Sequence, residues 1–164
     1  MEQVNKNYKQ PALVEEFISG FEFTVPVLGN RNPEAMPVIQ YMISGKEKLG
    51  DAFYTFQNVV EKSVDYICPA KISAAVARQL QDIAVRAYQS VGCRDFGRVD
   101  FRVDEKGNPF VLEINPLPNL SKEDAFGQFP KVIGSTYEEI LNKIVGFALE
   151  RQGLLASREV ASRK

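Results

Sequence analysis

Two alternating segments around a short polar turn constrain this chain more than any other feature. Gly97-Arg98-Val99-Asp100-Phe101-Arg102-Val103 is followed by Asp104-Glu105-Lys106-Gly107-Asn108 and then by Pro109-Phe110-Val111-Leu112-Glu113-Ile114-Asn115. Side chains alternate across a strand, so Val99, Phe101 and Val103 share one face, as do Phe110, Leu112 and Ile114 on the return. The pattern predicts an antiparallel hairpin. Its opposite faces carry Arg98, Asp100 and Arg102, and Val111, Glu113 and Asn115. If the turn spans Glu105 to Asn108, Asp100 falls directly opposite Glu113, with Asn115 one pleat further on. Directly opposed residues have Cβ atoms about 5 Å apart, and like charges there are destabilising. Two arrangements would offset the repulsion. Arg98 and Arg102 can pair with the carboxylates on a solvated, charge-mixed face. Alternatively, Asp100, Glu113 and the Asn115 amide oxygen can hold a divalent cation. Three oxygen donors without sulfur or nitrogen suit Mg²⁺ or Mn²⁺, completed by waters and substrate phosphates.

The rest of the chain fits an α+β class, antiparallel hairpins backed by helices. Residues 1–12 read as a frayed lead-in. Leu13 to Ile18 reads as a strand, Ser19-Gly20 as a turn, and Glu22 to Leu28 as a second strand with Phe23, Val25 and Val27 on one face. Pro37 to Ile43 is a further strand, and 45–67 resists assignment. From Ser73 to Val91 the period becomes helical, with Val76, Leu80, Ile83, Ala84, Ala87 and Val91 on one stripe and Gly92 at the cap. After the Pro-rich loop 115–119 comes a polar segment. A final helix then opens at Ser135 or Thr136 with Glu138 and Glu139, turning Ile140, Leu141, Ile144, Val145, Ala148 and Leu149 inward. One domain over 1–153 and a polar, disordered tail over 154–164 are expected.

Composition narrows the function. Lys plus Arg number 20 against 21 Asp plus Glu, a net charge of -1, which gives no basic footprint for nucleic acid and no polybasic membrane anchor. No apolar run is long enough to span a bilayer, and no apolar stretch follows the first charges as a secretory signal requires. A cytoplasmic protein with two reduced thiols, Cys68 and Cys93, is the expectation. The chain has no histidine, which excludes Ser-His-Asp and Cys-His catalysis and every His-ligated zinc site.

Val14-Glu15-Glu16-Phe17-Ile18-Ser19-Gly20-Phe21-Glu22-Phe23-Thr24, then Cys68-Pro69-Ala70, Gly97-Arg98-Val99-Asp100 and Leu112-Glu113-Ile114-Asn115-Pro116-Leu117-Pro118, in this order and spacing, resemble ATP-grasp enzymes of the D-alanine–D-alanine ligase type. The resemblance runs from about Leu13 to Arg151, the carboxy-terminal part of that fold. It implies ATP as cofactor, with Mg²⁺ or Mn²⁺, two ions when nucleotide is bound. Glu15 would accept from the adenine amino group, backbone groups of Glu16, Phe17 and Ile18 would complete that contact, Glu22 would bond the ribose hydroxyls, and Leu112 would pack under the adenine. Asp100, Glu113 and Asn115 match the family's metal ligands, the set that the hairpin geometry reaches independently. Arg98 matches the arginine that stabilises the transferring phosphoryl group. The implied reaction phosphorylates a small carboxylate, and an amine then displaces phosphate to leave an amide.

The sequence departs from the family at four points. No Gly-rich phosphate loop and no first-substrate domain are recognisable, so the chain is expected to be incomplete alone and to act with a polypeptide supplying the amino-terminal half. Val59 stands near the expected phosphate-binding lysine, with Lys62 the nearest substitute. Asn119 replaces a glycine, at a position where asparagine tolerates the left-handed region. Asp124 stands near the small hydroxyl residue that holds the substrate carboxylate. A non-catalytic nucleotide-binding remnant is therefore the alternative expectation.

Overall fold

A computed structural model describes residues 2–50 and 64–154. Residues 51–63 of the stretch that resists assignment, with Val59 and Lys62 among them, and residues 155–164 of the tail lie outside them. Among the described residues, one antiparallel sheet runs in the order β4 (Val64–Ile67), β3 (Ile39–Ile43), β1 (Phe21–Leu28), β5 (Phe96–Val103), β6 (Pro109–Asn115), with the short β2 (Glu34–Ala35) beside the end of β1. The α+β class and its antiparallel hairpins are as expected.

Period-two alternation gives the sheet two differently used faces. Phe23, Val25 and Val27 of β1 and Val99, Phe101 and Val103 of β5 pack against Leu80, Ala84 and Tyr88 of α2 (Ala74–Ser90). Burying each of these larger side chains is worth about 1.5–3 kcal/mol. Gly97 allows the close approach of α2, since a Cβ there would stand 2.9 Å from the Tyr88 ring. Ser73 accepts from the Val76 amide to cap α2, and Gly92 follows its last turn at φ +66°. The stripe needs one correction: Val91 is exposed and Tyr88 takes the inner position.

Leu28, Met36 and Ile39 on the other side of the sheet pack against α3 (Ala125–Gln128), a 3₁₀ turn (Pro130–Ile133) and α4 (Tyr137–Arg151). The capping box of α4 pairs Thr136 with Glu139, and Ile140 and Ile144 point inward, whereas Val145 is exposed. The segment expected to be merely polar contains Ala125, Phe126 and Phe129, all fully buried. Three aromatic rings, Phe96, Phe126 and Phe129, stack edge-on there.

Two further expectations fail at the amino-terminal end. The lead-in forms a short helix, α1 (Glu2–Tyr8), that buries none of its residues. Leu13 to Ile18 forms no strand; among the described residues none pairs with it, and Leu13, Val14 and Phe17 are exposed. It joins the fold at Gly20, which bridges to Gly50 and passes so close to β5 that a Cβ would meet the Val103 carbonyl oxygen at 2.1 Å.

Candidate functional site

β5 and β6 pair as the charge pattern demands, by a different route. Val103 pairs with Pro109, so the turn holds Asp104 to Asn108, one residue more than expected. A bulge then inserts one residue: Phe101 faces Val111, and Asp100 faces Glu113. The expected opposition of Asp100 and Glu113 is therefore present, and Asn115 lies opposite Arg98. The inserted residue is Leu112. It leaves the apolar face assigned to it with Phe110 and Ile114 and is 50% exposed, lining a recess with Glu22, Tyr41, Arg98, Asp100 and Glu113. The recess holds about 240 Å³.

Asp100 is the most constrained group there. Arg98 donates to it through Nε (3.0 Å) and Nη2 (2.9 Å), a fork-to-carboxylate pair, and the Thr24 hydroxyl donates to Oδ1 at 2.5 Å. Thr24 stands directly across from Asp100 on β1. Burial works against the charged form of Arg98, but Tyr41, Asp100 and Asp124 together raise its pKa above the ordinary value. Of the two arrangements open from the sequence, the Arg98–Asp100 ion pair is thus formed. Glu113 makes no ion pair among the described residues, and the charge of Arg98 relieves it only in part. Burial first, and the facing Asp100 second, push the Glu113 carboxyl above the usual carboxylate range. Among the described residues no three Asp, Glu, Cys or His side chains gather as a metal cluster. The oxygen set is two carboxylates plus Asn115, whose Oδ1 accepts from the Leu117 amide at 3.2 Å.

Asp124 caps the short α3, accepting from the Ala125 amide at 2.6 Å. It also receives the Tyr66 hydroxyl at 3.2 Å and lies 3.5 Å from Arg98 Nη1. The side chain faces the site and not solvent. Asn119 does not adopt the left-handed conformation; it holds its turn by accepting from the Ser121 amide at 2.9 Å.

Glu22 is no solvated turn charge: only 6% of it is exposed, and Arg102 Nη1 pairs with its Oε2 at 3.3 Å. Glu15, Glu16 and Phe17 are exposed, and Ile18 is half-buried. Sequence reasoning missed Tyr41 and Thr24. Tyr41 shares a face with Ile39 and Ile43, and Thr24 with Glu22, so period-two alternation was the available signal. Burial, then Asp100, hold the Tyr41 hydroxyl well above its usual pKa.

Comparison with known proteins follows the same outline. The family model described as "D-ala D-ala ligase C-terminus" matches residues 2–146. The chain belongs to that family. A D-alanine–D-alanine ligase of Pelotomaculum thermopropionicum is 34% identical over 148 residues, covering 90% of this chain and 45% of that protein. The structure of the VanG D-Ala:D-Ser ligase from Enterococcus faecalis superposes with a TM-score of 0.66 at 30% identity, over 81% of this chain and 37% of that one. A D-alanine–D-alanine ligase from Bacillus anthracis, solved with ATP, shares the fold with a TM-score of 0.64 at 19% identity, over 85% of this chain and 40% of that one. The chain spans less than half the length of these relatives.

Proposed function

We propose that this family member supplies the nucleotide- and metal-binding face of an ATP-dependent carboxylate–amine ligase of the D-alanine–D-alanine ligase type. The observation that carries the proposal is Asp100 set opposite Glu113, a register reached only through the bulge at Leu112. A fold that spends a bulge on opposing two carboxylates leaves an uncompensated charge for a cation to relieve. The donor set fits Mg²⁺ or Mn²⁺: it is all oxygen, carries excess negative charge, and holds Glu113 where it gains from a cation. Asp100, Glu113 and Asn115 would hold the metal, with two ions when nucleotide is bound. The bound metal would neutralise charge between the β- and γ-phosphate oxygens.

The remaining assignments place the nucleotide along the same wall. Glu15 and the backbone of Glu16, Phe17 and Ile18 meet the adenine, Glu22 the ribose, and the exposed Leu112 the underside of the base. Arg98 faces the transferring phosphoryl group. Lys62, outside the described residues, is assigned to phosphate, and Asn119 and Asp124 to the border of the second substrate. Turnover to an amide requires the residues that the longer relatives carry beyond the matched part, in the same or a separate polypeptide. One observation favours a second reading, a nucleotide-binding module without catalysis: Arg98 is already engaged by Asp100 and Asp124.

Equilibrium dialysis of ATP with and without Mg²⁺ tests the proposal. Tighter retention with Mg²⁺, and loss of that dependence in Glu113→Gln, is the expected result. No retention, or an unchanged Mg²⁺ dependence in the variant, would remove the metal–nucleotide assignment.

A further inference from the structure

Two residues beyond Asp100 on the same face of β5, a buried set of polar contacts converges on Arg102. The residue is 2% exposed and, among the described residues, its guanidinium ties together Ile18, Glu22 and Gly50. Nε donates to the Ile18 carbonyl at 2.8 Å, Nη2 to the Gly50 carbonyl at 2.6 Å, and Nη1 pairs with Glu22 Oε2 at 3.3 Å. The Phe17 ring lies over the same group, 4.9 Å from its carbon to the ring centroid. The segment it grips belongs to no strand, and its apolar residues Leu13, Val14 and Phe17 are exposed, so burial does little to fix its path.

We infer that Arg102 is the positioning residue for the base and ribose subsite, holding segment 15–18 and Glu22 in one geometry before any nucleotide arrives. The inference rests on the assignment of that segment and Glu22 to the nucleoside. A planar fork with donors in fixed directions can satisfy two carbonyls and a carboxylate at once, which a lysine ammonium on a flexible stem cannot. Fixing the wall in advance spares the binding step the entropy of ordering it, and that saving applies to the nucleoside half of the ligand alone. The phosphates reach Asp100, Glu113 and Asn115, and none of the Arg102 contacts given above is to one of these three. Arg102 therefore sets how strongly the site prefers ATP over the bare triphosphate chain.

The test compares Mg-ATP with Mg-triphosphate, by calorimetric titration of the whole chain, in wild type and in Arg102→Met. Wild type should prefer ATP. Arg102→Met should lose about tenfold in ATP affinity with triphosphate affinity unchanged, and the amides of 16–20 should exchange hydrogen faster while those of α2 do not. Arg102→Lys keeps a cation opposite Glu22 and guards against a folding failure of the methionine variant; it too should lose at least threefold for ATP alone. An ATP preference retained in both variants overturns the inference, and so does an equal loss for both ligands. A wild type that binds the two ligands equally instead overturns the nucleoside assignment on which the inference rests.

Discussion

Glu113→Gln is expected to stabilise the metal-free protein. Asp100 and Glu113 are direct cross-strand partners, so their carboxyl groups lie within a few ångströms of one another. Two unit charges about 4 Å apart repel by roughly 4 kcal/mol at an effective dielectric near 20, an upper bound here. The two hydrogen bonds from Arg98 cancel most of the Asp100 charge, and solvent screens Glu113, which is only partly withdrawn from water. What remains is on the order of 0.5–1 kcal/mol, the usual size of a cross-strand pair term. In a domain of this size that corresponds to a rise in melting midpoint of roughly 1–4 °C. The sign of the pH dependence is fixed by the direction of the shift. Glu113 binds its proton more tightly folded than unfolded, so its contribution is fully present below the ordinary glutamate pKa and is lost as pH rises through the raised one. Thermal melts in EDTA at pH 4 and pH 8 should therefore show the variant gaining on wild type at pH 8 only. In Mn²⁺ with ATP the order should reverse, because wild type alone keeps the ligand. A variant less stable than wild type in EDTA at pH 8 would refute the reasoning, by showing that Glu113 is held by favourable contacts and not in opposition.

Asp124→Ser keeps a hydroxyl to cap α3 and removes the carboxylate beside Arg98 and Tyr66. In an enzyme completed with the missing part of a relative, it should raise use of D-alanine as second substrate by about tenfold or more, a difference of about 1.4 kcal/mol, read as phosphate release. Asp95 sits at φ +66°, a conformation asparagine also tolerates, so Asp95→Asn isolates the charge that accepts from Arg151 and Asn30. The variant should melt roughly 3–6 °C lower at pH 7. The Arg151 hydrogen bonds hold the Asp95 carboxyl below the usual range, so this stabilisation exists above the ordinary aspartate pKa and vanishes as pH falls through the lowered one; the two proteins should converge in strong acid. Finally, the chain by itself should form no amide from ATP and any pair of amino acids, because an open site does not exclude water from an acyl phosphate; steady amide formation would contradict this.

Local rules made much of the fold legible. The capping box at Thr136, Gly92 after α2 and the alternation of β1 and β5 each follow from a few neighbouring residues. The opposition of Asp100 and Glu113 was legible too, although a longer turn and a bulge compensate one another to produce it, and alternation alone misplaced Leu112. What stayed hidden depends on distant partners. Leu13 to Ile18 has strand-like residues but is held by Arg102, more than eighty positions away. Ala125 to Phe129 looks polar in its surroundings, yet the ring of Phe126 meets Phe96 of β5 on one side and Phe129 on the other. Glu22 resembles an ordinary turn charge until β5 brings a guanidinium to it.

Amide chemical shifts of the labelled chain, recorded while Mg-ATP is added, address the central claim most directly. The account predicts saturable shifts at Glu15 to Ile18, Glu22, Asp100 and Leu112 to Asn115, with α4 unmoved and the hairpin changes absent when Mg²⁺ is withheld. Shifts confined to other faces, or none at millimolar Mg-ATP, would contradict it.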